Sequence, residues 1–472
     1  MKNKLIMMCS AAVAAVAANA ADLPRATPES QGVDSNAIVA WLDACDKELQ
    51  YMHGFVILRH GKVIAEGTWA PFDTLNKPHM LYSHSKSFTS TAIGFLVDDK
   101  KLDLDERVAD IFSDKMPSNP PPWLLEARVR DLLTMNFGSD SGKQPKCNFD
   151  PADWERGILS RPMEKRPGTN YRYDSDATYL LACIVERRSG KRMMEFLKER
   201  LFDPVGMQSP WSTVSPSGTA CGGWGMNMTT RDIAKYGQFL LDGGVWEGRR
   251  LMSADWIRLA SSKHTRTGGG PDWREGYGFQ FWRCRHGYYR ADGAAGQFTI
   301  VMEDKDAVIS MNAAIGDTQK QLDLVWKYLL PAFSDGPLGE DPASQKALAE
   351  RCASLAIAPL ARGSAEPAVN LPAKVKFGRS QLMEEGEGSL EKSDDGWTLS
   401  VGGRSLAIGD GKWSETVWKF DDGNVEPLFK LVGTRTAVAS GSWKDDKTLK
   451  VAWHLLGATQ KGVFEVKVQV AR

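Results

Sequence analysis

Ser83 and Lys86 stand three residues apart in Tyr82-Ser83-His84-Ser85-Lys86-Ser87-Phe88-Thr89. The segment that follows places Phe88, Ala92, Phe95 and Leu96 at helical spacing. Residues three apart share a helix face, so a helix starting here brings the serine hydroxyl and the lysine amine together. A lysine kept neutral by burial can take a proton from a serine. The partial positive charge of a helix N-terminus favours the alkoxide that results. The pair therefore points to a serine nucleophile activated without a histidine. The spacing alone is common, and Ser389 to Lys392 repeats it in a polar, Gly- and Glu-rich stretch with no helix behind it. A serine at a helix start is also an ordinary cap. The remaining residues must decide.

The chain has 472 residues, enough for two or more domains. Its charged fraction of 25% and hydrophobic fraction of 42% are those of a globular chain. Lysine plus arginine and aspartate plus glutamate both number 59, so no net field draws nucleic acid or an anionic membrane. There is no Gly-rich phosphate loop or metal-ligand spacing, and the seven histidines are scattered. No cofactor or metal is expected. Lys2 and Lys4, the run Leu5 to Ala18 and Ala18-Asn19-Ala20 read as a secretory signal over residues 1–20. The run is too short to span a membrane. A periplasmic or secreted protein is expected, and its mature cysteines (Cys45, Cys147, Cys183, Cys221, Cys284, Cys352) are permitted to pair. Their spacing selects no connectivity. Cys183 sits on an apolar helix face and reads as core.

Elements must position the Ser83–Lys86 pair. His53 to Gly67 reads as a hairpin turning at His60-Gly61. The Ser83 helix should stop near Asp98-Asp99, and shorter helices should follow, such as Val129–Met135. Longer ones are expected at Ala177–Arg188, closed by Ser189-Gly190, and at Thr230–Leu241. Strands return at Gly278–Trp282, Gln297–Met302 and Ala307–Met311, then a helix at Leu322–Leu330. Strands at both ends with helices between predict one antiparallel sheet with a helical insertion, an α/β (α+β) domain over 21–333. Residues 334–373 are rich in Pro, Gly, Ala and Ser and read as a linker with a short helix near Ala343–Ala353. From 374 to 472 the pattern alternates, as at Val466, Val468 and Val470, with turn signals at Asp421-Asp422-Gly423-Asn424. That is a small all-β domain, its tryptophans filling a core.

Residues from about 50 to 333 resemble the serine β-lactamase and penicillin-binding-protein superfamily, class C branch. Its esterase- and amidase-like members, including aminohexanoate-dimer hydrolases, are the most similar. Blocks match in order: Tyr82 to Ser90, Val129 to Thr134, Pro167-Gly168-Thr169 to Leu181, Gly222 to Gly225 with Thr230 to Ala234, and Gly276-Tyr277-Gly278-Phe279. The resemblance implies a cofactor-free serine hydrolase of the β-lactamase/transpeptidase-like fold. Ser83 matches its nucleophile, Lys86 the lysine that accepts the proton, and Tyr173 the tyrosine general base. A tyrosine serving as base needs its pKa lowered, and a nearby lysine cation would lower it. The backbone N–H groups of Ser83 and Ala294 match the oxyanion hole.

The chain departs from the family in two places. Tyr173-Asp174-Ser175 stands where the family often has an asparagine two residues after the tyrosine, and Ser175 can supply part of its hydrogen bonding. Ala291-Asp292-Gly293 stands where the family has Lys-Thr-Gly. Gly293 allows close approach of the strand, but Asp292 would repel the carboxylate that lysine and threonine hold, unless it turns to Arg290 or Arg285. This favours a neutral or amine-bearing amide or ester over a β-lactam or cell-wall peptide. His286 and Trp224 are further candidates for lining the cleft, as are Tyr277 and Trp282, with structural roles as the default. His84, next to the nucleophile on a helix, points elsewhere, to the surface or behind the site. Two alternatives remain: a class C β-lactamase or D-alanyl carboxypeptidase, and a non-catalytic envelope binding protein.

Overall fold

The computed structural model describes residues 23–469 apart from 140–152, 208–209, 369, 379, 381, 384 and 421–432. The signal-like segment, Cys147 and the turn at 421–424 lie outside the described residues.

A six-stranded antiparallel sheet forms the centre. Its order is Lys62–Thr68, Met52–Arg59, Ala307–Ala313, Gln297–Met302, Tyr289–Gly293 and Trp282–Arg283. The N- and C-terminal strands of the domain pair directly, Ile57 opposite Ile309. Met52–Arg59 is buried along its whole length, which explains its unbroken apolar run. Side chains alternate between faces. Phe55 and Ile57 pack with Trp41, Ile309, Leu322 and Trp326. Val56 and Leu58 pack with Ala234 and Val308 on the other side.

Helix Ser35–Glu48, absent from the sequence reading, covers the first face together with the segment from Thr318 to Ala332. Thr230–Leu241 covers the other. Ser85–Asp98 lies in the core of the helical part, against Ser175–Ser189, with Phe88, Ala92, Phe95 and Leu96 fully buried. The expected helices at 129, 177, 230 and 322 and the strands at 297 and 307 are present within a few residues. Gly278–Trp282 is not a strand; only Trp282–Arg283 pairs at the sheet edge. The chain there turns through Gln280 at φ 67°, and Gly278 has the carbonyl of Ala260 2.1 Å from where a Cβ would sit. That is a packed loop rather than extended backbone.

Segment 334–373 connects the two domains but does not run free. Its helix Pro342–Ala353 packs on Ser35–Glu48, with Arg351 paired to Asp43 and Asp46 and with Leu348 in the core. Eight strands from Ala373–Phe377 to Lys461–Val468 follow. Seven close into a barrel through a parallel pairing of Gly409 with Ser440 and Asp410 with Gly441, and Ser414–Phe420 lies outside the ring. Tryptophans 397, 443 and 453 belong to the barrel's buried cluster, which Trp418 joins from the strand outside the ring. Ser389 and Lys392 lie on a strand, where a spacing of three sends side chains to opposite faces, so this pair is chance.

Candidate active site

The chain enters the site through a 3-10 turn, Tyr82–His84, that leads into helix Ser85–Asp98. The Ser85 hydroxyl donates to the Tyr82 carbonyl at 2.6 Å and accepts from the backbone N–H of Met226 at 3.1 Å, tying the turn to strand Met226–Met228. Ser83 and Lys86 thus meet as their spacing predicts. Lys86 Nζ lies 3.0 Å from Ser83 Oγ, 3.0 Å from Ser175 Oγ and 2.6 Å from the Gly223 carbonyl. The Lys86 residue is only 1% exposed. Burial lowers its pKa to about 7, against the opposing pull of Asp174, Asp176 and Asp292. A substantial neutral fraction is therefore present near pH 7.

Ser175 opens helix Ser175–Ser189, capped by Asp174, whose side chain accepts from the Asp176 backbone N–H. Buried Arg161 faces both carboxylates, at 3.6 Å from Asp174 and 3.0 Å from Asp176. Sequence reasoning missed this trio and the Gly223 carbonyl. The cap signal Asp174-Ser175 was the one local hint of the first. Gly223 itself has the Ser175 carbonyl 2.7 Å from a would-be Cβ, so only glycine lets the loop approach Lys86. Half-buried Trp224 is beside the site by continuity with Gly223.

Tyr173 is at the site but differs from expectation. Burial pushes its phenol well above the ordinary range, a hydrogen bond with Ser83 offsets part of this, and Asp292 adds to the rise. Lys86 Nζ lies over the ring face, 4.7 Å from its centre. Tyr173 is a protonated phenol at neutral pH rather than a tyrosinate. Its ring stacks on Trp282 with centres 6.0 Å apart and meets Tyr277 edge-on. Tyr277, Trp282 and Met135 form a small apolar cluster with Tyr171 and Trp273 at its margin. The two aromatics named from sequence therefore brace Tyr173.

Strand Tyr289–Gly293 ends beside the turn that carries Ser83. A Cβ on Gly293 would lie 2.1 Å from the Leu81 carbonyl, so glycine is required by the close passage of two backbones. Ala294 follows directly. The carboxylate of Asp292 is held by Arg290 at 2.8 Å, as one of the two sequence readings had it. Arg290 is in turn boxed by Trp273, 4.5 Å from its ring centre, and by Phe298. The Asp292 side chain keeps 11% exposure and raises the Lys86 pKa, so it faces the site with much of its charge compensated.

Two candidates are placed elsewhere. His286 is exposed and lies 5.3 Å from the Trp326 ring, on the sheet face away from Ser83. A left-handed turn at φ 65° carries it out of the strand, which local pattern does not reveal. His84 points away from Ser83, as adjacent helical residues do, but it is fully buried, with Nε2 2.9 Å from Thr299 Oγ1. Burial lowers its pKa to about 3. It is a core group behind the site, not a surface one.

Among the described residues, no cluster of three metal-ligating side chains is present and no helix is long and apolar enough to cross a membrane. Cys45, Cys183, Cys221, Cys284 and Cys352 are free thiols, and Cys183 is buried in the helical core.

A family model described as Beta-lactamase matches residues 47–329. The 6-aminohexanoate-dimer hydrolase of Paenarthrobacter ureafaciens is 28% identical over 251 residues, covering 49% of this chain and 63% of that one. A D-aminopeptidase of Brucella anthropi is 29% identical over 167 residues, covering 32% of this chain and 31% of that one. Each match thus spans less than two thirds of the relative. The octameric penicillin-binding protein homologue from Pyrococcus abyssi superposes with a TM-score of 0.51 at 16% identity, over 92% of this chain and 96% of that one. At that identity the likeness is one of fold.

Proposed function

Because the chain belongs to the β-lactamase family, a family of serine hydrolases among its named relatives, we propose that it cleaves an amide or ester bond through an acyl-enzyme on Ser83. One observation carries this reading: Lys86 Nζ, buried and depressed to about 7, lies 3.0 Å from Ser83 Oγ. Neutral Lys86 takes the Ser83 proton as Oγ attacks the substrate carbonyl carbon. The negative oxygen that forms is received by the backbone N–H groups of Ser83 and Ala294; such a donor is typically worth about 10²–10³ in rate. When the carbonyl re-forms, the leaving amine or alkoxide takes the proton back from Lys86. Tyr173, protonated and hydrogen-bonded with Ser83, relays that proton through its hydroxyl. Water then attacks the ester carbonyl carbon and gives its proton to Lys86; as the C–O bond to Ser83 breaks, Lys86 returns that proton to Ser83 Oγ, releasing the acid and restoring neutral Lys86.

Strand Tyr289–Gly293, with Asp292 near its end, supports a neutral or amine-bearing substrate. Ala291 and Asp292 stand where relatives that hold a carboxylate have lysine and threonine, and the pairing of Asp292 with Arg290 reduces but does not reverse its negative sign. The relatives named for a 6-aminohexanoate dimer and for D-amino peptides fit an amide with an amine nearby. The N-terminal charged-then-apolar pattern supports export.

The test is labelling of the protein by a fluorophosphonate, with the modified peptide mapped by mass spectrometry and Ser83→Ala as control. Labelling at Ser83 that disappears in the variant is expected. A folded protein that takes no label would favour the binding-protein reading, and turnover of a chromogenic cephalosporin would favour the β-lactamase one.

A further inference from the structure

The C-terminal barrel reaches the nucleophile turn. The barrel's turn from Leu456 to Gln460 lies on residues 78–82, which lead directly into Ser83. The Met80 backbone N–H donates to the Gly457 carbonyl at 2.9 Å. A Cβ on Gly457, at φ 71°, would come 2.8 Å from the Pro78 carbonyl, so the two backbones are packed as closely as glycine allows. Met80 and Tyr82 belong to the same apolar cluster as the barrel's Val375, Trp453 and Leu455. Arg435 of the barrel donates to Asn227 Oδ1 at 3.2 Å, on the strand that follows the Gly223 loop. The barrel therefore touches two of the three chain segments that meet at Lys86, the Ser83 turn and the strand after Gly223, but not the Ser175 helix.

Tyr82 is the centre of this contact. Its backbone is left-handed, at φ 48°, a conformation that strains a bulky residue and persists only where the surroundings enforce it. The side chain is buried, and its hydroxyl lies 2.5 Å from Thr459 Oγ1. Gln460 Nε2 lies at 3.4 Å on the same hydroxyl. Tyr82 thus bends the backbone immediately before Ser83, and its far end is anchored in the other domain.

We propose that Thr459 and Tyr82 are positioning residues for the hydrolysis. Thr459 holds the Tyr82 hydroxyl, Tyr82 holds its strained backbone, and that backbone aims the Ser83 hydroxyl at Lys86 and the Ser83 N–H at the forming oxyanion. The inference rests on the Ser83 reading above. The barrel on this view is a working part of the site, and the alignment it supplies is of the kind where a shift of about 1 Å costs on the order of 10² in rate.

The experiment compares the second-order rate of fluorophosphonate labelling at Ser83 in the wild type, Tyr82→Phe, Thr459→Val and Thr459→Ser, with thermal melting in parallel. Tyr82→Phe and Thr459→Val each remove the contact and keep the shape. Each is expected to slow labelling roughly tenfold, with a melting temperature within a few degrees of wild type. Thr459→Ser keeps the hydroxyl and is expected to restore the rate. Equal labelling in all four overturns the positioning role and leaves the hydrolase reading intact. A slowed Thr459→Ser matching Thr459→Val, or a loss of rate that tracks melting temperature, assigns the contact to stability and overturns it too. A wild type that never labels removes the premise and overturns both.

Discussion

Lys86 meets Tyr173 through the face of its ring, with Nζ 4.7 Å from the ring centre, while its hydrogen bonds go to Ser83, Ser175 and Gly223. A cation over the π face is attracted to the ring quadrupole, but this is not the geometry that would stabilise a phenolate. Burial raises Tyr173 and lowers Lys86, so the two groups separate into a neutral acid and a usable base. Pairs of titratable groups pushed apart in this way are how a site assigns its proton carriers.

The pH profile follows from Lys86. Only its neutral form accepts the serine proton, so kcat/KM is expected to rise with pH through a single-proton limb centred near 7 and then level off. Asp176 is one of the carboxylates that hold the lysine pKa up. Asp176→Asn removes that charge, favours the neutral amine and should move the limb to lower pH. A limb that stays in place, or moves up, would contradict Lys86 as the base.

Tyr173→Phe separates relay from base. The ring still stacks on Trp282 and meets Tyr277, so folding should be little changed. Loss of the hydroxyl should lower kcat by about 10²-fold, within the usual range for a positioned proton donor. The limb near 7 should survive in the variant, because it belongs to Lys86. Steady-state kinetics across pH would show this, and disappearance of the limb would return the base role to the tyrosine.

Gly293→Ala places a methyl 2.1 Å from the Leu81 carbonyl and 3.0 Å from the Gln297 side chain. The first obstacle is backbone, so the strand end or the nucleophile turn must shift. A loss of about 2 kcal/mol in stability is expected from overpacking, together with a fall in kcat of at least about 10²-fold because an oxyanion donor moves. Denaturant unfolding and kinetics on the same preparation would check both. Wild-type activity would show that the close passage has no part in aligning the site.

Beyond buried His84, acid sensitivity should arise at the domain boundary. His53 Nδ1 lies 2.9 Å from His79 Nε2, and the His454 ring of the barrel meets Phe72, which stacks on His53. Burial lowers all three, His79 and His454 to about 4. The unfolded chain takes up protons that the native fold refuses, so stability falls as pH drops from about 6.5 toward 4. Each histidine contributes at most about 1.4 kcal/mol per pH unit in that window. Urea midpoints between pH 7 and 4.5 should decline accordingly. His454→Phe should flatten the decline by about one proton, and an unchanged slope would remove His454 from the account.

Much was decided locally. Ser83 and Lys86 are three residues apart at a helix start, and helix periodicity alone brings them together. The alternation after 374 and the apolar runs at 52 and 297 name their strands, because burial of one or both faces writes itself into residue order. The helix expected from Ala177 starts two residues earlier, at Ser175, because Asp174 caps it through the Asp176 backbone N–H. What only the tertiary structure decided lies between residues far apart in the chain. Ser175 reaches Lys86 across 89 residues, the Gly223 carbonyl across 137, and Thr459 reaches Tyr82 across 377. The depressed Lys86 pKa and the raised Tyr173 pKa come from burial by all of these together, and burial is a property of the assembled fold. His286 shows the converse: a residue near a motif strand in sequence was carried to the other face by one left-handed turn. Sequence paired Ser83 with Lys86 because their relation is one of helical pitch; the charge states of Lys86 and Tyr173 and the barrel's hold on the turn before Ser83 depend on contacts that no spacing encodes.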